Sequence, residues 1–273
     1  MRVKPSFIVL AGLAAIFAAP RPASAEDCVA PAETREVRLT GLDRHGDLVL
    51  ADSTLLRLAG LAPRQGETER ERFSAMLQPW LGRDFELAVL GTADRWGRAP
   101  ARLLLPDGPA GDIAGRDLSA LLLAAGAALH LPEPGLGGCN ALWRAAESGS
   151  LAKTAANRAV SATPATNLAF AGLPVIDGHD PAAMRAQAGR IAVVEGRIAA
   201  VGERAQRTYL NFTRRRGAGG SIVLSRSLWR ELQRTGWTAS ALTGKRVRVR
   251  GVIEGRDGLL IAIESRAALE MVD

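Results

Sequence analysis

The stretch "LRLAGLAPRQGETE", Leu56 to Glu69, decides how the first half of the chain is built. Its opening residues alternate apolar and polar side chains as a half-buried strand does. "GLAP" then interrupts the period, and charged residues lead into "ERFSAMLQPWLG". There Phe73, Met76, Leu77 and Trp80 fall on one face, the spacing of an amphipathic helix. Upstream, "REVRLTGL" and "GDLVLAD" are strand-like segments separated by turn residues at His45–Gly46 and Asp52–Ser53. Downstream, "DFELAVLG" and "APARLLLP" return to strands. "RDLSALLLAAGAALHL" and "CNALWRAAESGSLAKTAANRAV" read as two further helices. Five short strands with helices inserted predict a small closed barrel rather than alternating parallel units.

The stretch "SATPATNLAFAGLPVIDGHDPAAM" has no sustained period and marks a boundary. Beyond it come "GRIAVVEGRIAAVGE", "RTYLNFTRR", "GSIVLS", the helical "SLWRELQRTG", "GKRVRVRGVIEG" and "GLLIAIES". Five strands with a helix between the third and fourth predict a second small barrel of the oligonucleotide-binding (OB) type. The expected fold is therefore mainly β with α. It divides into residues 26–160, a linker over 161–188, and 189–273.

The N-terminus has the order of a secretory signal. Arg2 and Lys4 precede the apolar run Phe7–Ala19, and "ASA" at Ala23–Ala25 offers a small-residue cleavage site. The apolar run is shorter than the roughly 20 residues that span a bilayer. Cleavage after Ala25 implies a periplasmic or secreted protein with no transmembrane segment. Two cysteines remain, Cys28 and Cys139, and in an oxidising compartment they are expected to form a disulfide, with buried free thiols as the alternative. The separated histidines, His45, His130 and His179, share no ligand spacing, so a zinc shell cannot be completed.

Charge is distributed unevenly. Residues 26–160 carry 15 basic and 18 acidic residues, a balance of −3, whereas residues 161–273 carry 17 and 10, a balance of +7. A polyanion would be drawn to the second half. Arg214, Arg215 and Arg216 lead into "GAGG", a basic hairpin loop that could track phosphates or be a solvated turn. Arg246, Arg248 and Arg250 alternate with valines, which places three like charges on one side of a strand. Tyr209 is the single tyrosine, to stack on a base or pack inward.

In order, "GDLVLAD", "LRLAGLAP", "DRWGRAPARLLLPDG" and "RDLSALLLAAGAALHLPE" resemble the thermonuclease (staphylococcal nuclease-like) family over residues 36–158, with "DRWGR", "PDG" and "RDL" the specific part. The second half resembles OB-fold extensions found behind such domains. The resemblance implies a calcium-dependent phosphodiesterase fold, with Asp47 as a metal carboxylate and Arg57 and Arg98 as the phosphate-binding arginines. Where the family carries a second carboxylate and a glutamate base, this chain has Ala62, Pro63 and Arg64, followed by Gln65. One carboxylate beside an extra arginine disfavours a hard cation. The expectation is a degenerate site that needs no cofactor. Such a protein would bind nucleic acid, another polyanion or an envelope protein without cutting. The alternatives are a calcium-dependent hydrolase in which Glu67 swings in as the missing carboxylate, and a structural envelope protein.

Overall fold

A computed structural model describes residues 28–107, 112–157, 173–215 and 217–272. The secretory-signal reading falls on residues outside these. No helix among the described residues is long and apolar enough to cross a membrane.

The first half forms strands β1 (Arg35–Leu42), β2 (Leu48–Leu50), β3 (Leu55–Leu58), β4 (Asp84–Val89) and β5 (Arg98–Leu104). Helix α1 (Glu67–Leu77) joins β3 to β4, and α2 (Ile113–Arg116), α3 (Leu118–Ala124) and α4 (Gly137–Asn157) follow. The strands close in the order β1-β2-β3-β5-β4, with β1 antiparallel to β4 and β3 parallel to β5. Alternation explains the closure: Val37 and Leu39, Leu48 and Leu50, Leu56 and Leu58, and Phe85 and Leu87 point inward, and Phe73, Leu77 and Trp143 from α1 and α4 pack on the same core. A register shift between Leu39 and Gly41 bends β1, as closing a small ring requires. Gly60 ends this segment at φ +80°, and a Cβ there would lie 2.4 Å from the Trp143 ring, so only glycine fits.

Asp117 fastens the helices to the strands. It caps α3 through the Ala120 N–H, accepts from Trp143 Nε1 at 3.0 Å and pairs with Arg102 Nε at 3.0 Å. Arg102, itself 2 % exposed, also donates to the Val29 carbonyl at 2.9 Å beside Cys28. Cys28 and Cys139 are disulfide-bonded, as export and parity predict, across a separation of 111 residues. Loop-closure entropy for such a span corresponds to about 4–5 kcal/mol in the chain-entropy picture.

The second half corrects the expected pair of barrels. Its strands are β6 (Val175–Asp177), β7 (Ile191–Arg197), β8 (Ala200–Glu203), β9 (Arg207–Asn211), β10 (Ser221–Ser225), β11 (Arg246–Glu254), β12 (Leu260–Ile263) and β13 (Leu269–Met271). They form one eight-stranded sheet in the order β6-β7-β11-β12-β10-β9-β8, with β13 also on β11, and no ladder joins its two ends. Three departures from a five-stranded barrel account for this. The three residues of β6, inside the expected linker, pair in parallel with β7. "IAVVEGRIAAVGE" is two strands rather than one, broken at Ile198 and Ala199, where Ile198 is buried and bonds the 244–245 backbone. The C-terminal β13 adds to β11. Helix α5 (Pro181–Ala186), capped by Asp180, also lies in the expected linker, and residues 161–172 of it are outside the described set. Helices α6 (Arg226–Arg234) and α7 (Ala239–Leu242) complete this half.

Polar contacts join the halves, the Arg250 pair buried and the Gln65 pair nearer the surface. Arg250 reaches from β11 to form a two-point pair with Glu147 of α4, at 2.9 and 2.6 Å, and donates to the His130 carbonyl at 2.8 Å. Gln65 donates to the Gly189 carbonyl at 2.6 Å and accepts from Ile191 N–H at 3.0 Å.

Candidate functional site

A cleft of about 500 Å³ lies between the halves. Its floor is apolar, with Leu48, Leu56 and Leu58 from the closed strands and Ile263 from β12. The residue before β2, Asp47, lines it with Arg57 of β3 and Arg98 of β5, so the sequence-predicted trio shares one cleft. Each arginine is already engaged. Arg57 Nη1 lies 2.5 Å from Glu133 Oε1, and the same oxygen accepts from Gly60 N–H at 3.3 Å. Arg98 donates Nε to Asp94 at 2.9 Å and contacts both Asp47 oxygens at 3.4 Å. The Arg98 hydrogen bond holds the Asp94 carboxyl down at about 2.

Arg64 completes the cleft. Its guanidinium packs over the Phe73 ring at 4.2 Å and donates to the Gly46 carbonyl at 2.7 Å. Its Nε is buried without a partner. Burial lowers its pKa, and the Asp47 charge partly restores it. The donor set does not fit a calcium ion. Asp47 faces Arg98 and Arg64, the Glu133 carboxylate is taken up by Arg57, and no group of three or more metal-binding side chains converges among the described residues. Gln65 serves as the interdomain clamp described above. Glu67 sits in the exposed first turn of α1 and does not line the cleft, while Glu69 accepts from Gln65 N–H at 2.7 Å.

No protein-family model matches the chain, and no curated protein matches it. The thermonuclease resemblance is corrected accordingly, and with it the pairing of that domain with an OB extension. The motifs that carried it have local structural duties here. In "DRWGR", Asp94 accepts from the N–H groups of Trp96 and Arg98 and shapes the β4–β5 turn. In "RDL", Asp117 caps α3 and neutralises Arg102.

The predicted basic stripe on β11 is also corrected. Val247 and Val249 point inward as expected, but the arginines between them meet carboxylates. Arg246 and Arg248 both pair with Glu195 of β7, and Arg250, 2 % exposed, is the interdomain anchor. A stripe of like charges on one strand says nothing about acids on its neighbour. Glu133 and Glu147, which meet Arg57 and Arg250, are distant in sequence and were not singled out, and Gln65, read at the position of the lost base, bonds the second half instead.

The remaining basic group lies elsewhere. Tyr209 and Asn211 of β9 face a depression of about 500 Å³ flanked by Arg204, Arg214 and Arg215, with Thr213 and Ser221 alongside. Asp257 is its single acidic lining residue. Arg214 and Arg215 are exposed, and neither guanidinium has an ion-pair partner among the described residues. Arg216 lies outside those residues. Arg204, which the sequence reading did not single out, joins the group because the β8–β9 turn brings it beside Tyr209.

His130 supplies a pH-dependent term. Its Nδ1 donates to the Gly60 carbonyl at 2.9 Å, and its Nε2 is buried without a partner. Burial first, and the Arg250 charge second, push its pKa down to about 3. The folded-state value is depressed. Between about pH 6.5 and about pH 3 the unfolded chain therefore binds a proton that the folded chain refuses. Stability falls with falling pH through that window, by up to about 1.4 kcal/mol per pH unit from this group. His130→Asn, which keeps a donor for Gly60, should flatten the slope by about one proton in urea unfolding between pH 7 and 4. Equal slopes would contradict this account.

Proposed function

We propose that the protein binds an anionic polymer without hydrolysing it, at the Arg204–Tyr209–Arg214–Arg215 depression of the second half. One observation carries the reading. The exposed arginines of that depression lack carboxylate partners among the described residues, whereas Arg57 and Arg98 are matched by Glu133, Asp94 and Asp47. The +7 balance of residues 161–273 favours the same side of the molecule. A single aromatic at the site favours contact with the charged backbone of the polymer over base stacking.

Fluorescence anisotropy with single-stranded DNA and with polyphosphate, at several salt concentrations, tests this. Log affinity should fall linearly with log salt, by about 0.7–0.9 per phosphate contact. Arg204→Gln, Arg214→Gln and Arg215→Gln combined should weaken binding to both polymers and flatten the slope by about two units. Arg57→Gln with Arg98→Gln should leave both quantities near wild type. A loss of binding confined to the second variant would overturn the proposal.

A further inference from the structure

The depression on β8 and β9 offers more than positive charge. Thr208 and Leu210 are buried, so alternation puts Tyr209 and Asn211 on the outer face of the sheet. Gly202 of β8 is the register partner of Tyr209, so that strand sets no side chain opposite the ring. The Tyr209 hydroxyl has no hydrogen-bond partner among the described residues. Asn211 accepts from the Ser221 hydroxyl at 2.8 Å, and its amide nitrogen makes only a long contact, 3.4 Å, to the Ala200 carbonyl. An amide N–H and hydroxyl lone pairs therefore remain for a ligand. Asp257 lines the same depression. One of its oxygens accepts from Leu259 N–H at 3.3 Å, and no arginine pairs with it among the described residues.

An unpaired carboxylate does not suit a chain of phosphates. Polyphosphate and nucleic acid carry a charge on every unit, so one of those charges would fall near Asp257. A polyuronate sets its carboxylates apart by sugar rings. The ring hydroxyls donate to a carboxylate and accept from an amide, and the C–H face of the ring packs on an aromatic side chain. We propose that the polymer bound in this depression is an acidic polysaccharide. Arg204, Arg214 and Arg215 hold its carboxylates, Asn211 and Asp257 its hydroxyls, and Tyr209 meets a sugar face. This inference rests on the polymer reading above and names the class of polymer.

The test titrates labelled oligogalacturonate, polyphosphate and single-stranded DNA into the full chain by anisotropy. Contacts to neutral hydroxyls release no counterions, so affinity for oligogalacturonate should fall less steeply with salt than affinity for the other two. Asp257→Asn keeps an acceptor for Leu259 N–H and decides the point by sign. It should weaken oligogalacturonate binding about fivefold, through loss of a charge-assisted hydrogen bond, and tighten polyphosphate binding. Asn211→Leu should weaken oligogalacturonate binding alone, its unchanged affinity for polyphosphate showing that the variant folds. Tightening of all three polymers by Asp257→Asn, or DNA bound tighter than oligogalacturonate at every salt concentration, would overturn the polysaccharide assignment and leave the polymer reading standing. Failure of all three to bind would overturn both.

Discussion

Asp117→Ala should lower the unfolding free energy by about 3–5 kcal/mol, the cost of breaking a buried ion pair by removing one partner. The substitution leaves Arg102 charged at 2 % exposure, and no other carboxylate pairs with it among the described residues. It also orphans Trp143 Nε1 and the Ala120 N–H, so the loss belongs at the upper end of that range. Asp117→Asn keeps an acceptor for the cap and for Trp143 but not the charge, and should recover only part of the loss. Urea midpoints measured with the disulfide intact separate the two effects. A change below about 1 kcal/mol for Asp117→Ala would mean that Arg102 escapes to solvent, and the packing described for α3 and α4 would be wrong.

Glu147→Ala should have a comparable effect on a different property. Glu147, 3 % exposed, accepts two bonds from Arg250 and one from His130 N–H at 2.9 Å. Removing it takes from Arg250 the carboxylate that its guanidinium meets at two points, at a cost of up to about 3–5 kcal/mol. Because the pair joins the halves, the expected signature is loss of cooperativity: unfolding of Glu147→Ala should split into two transitions, with cleavage by protease appearing between them. Glu147→Ala with Arg250→Met should restore part of the stability, since the buried charge is removed together with its carboxylate. A single transition near the wild-type midpoint for Glu147→Ala would show that the halves are held by other contacts.

What was legible in the sequence follows the range of the interactions. Leu56 with Leu58 and Phe85 with Leu87 announce their strands because alternation is local, and each burial can be read from the next residue but one. Phe73 and Leu77 announce α1 in the same way, although Met76, assigned to the same face, is 44 % exposed. The disulfide was legible because only two cysteines remain beyond the signal-like segment. The partners of charged residues were not. Arg57 meets Glu133 across 76 residues, and Arg250 meets Glu147 across 103. No periodicity connects positions so far apart, and an arginine destined for the interior looks like one destined for water. For that reason Arg250 was assigned to a surface stripe, and Arg57 to an open phosphate site. The second sheet was misread at β6, whose three residues are too few to show a period, and at Ile198, where an unbroken apolar run conceals the division between β7 and β8.

The placement of the polymer site can be read from one atom. Tyr209 is the single tyrosine of the chain, so growth on 3-fluorotyrosine gives the protein one fluorine signal, at the centre of the proposed depression. Titration with single-stranded DNA or polyphosphate should shift that signal, saturating at the affinity seen by anisotropy and reversing as salt is raised. Binding by anisotropy with the Tyr209 signal unmoved would place the polymer elsewhere and contradict the account.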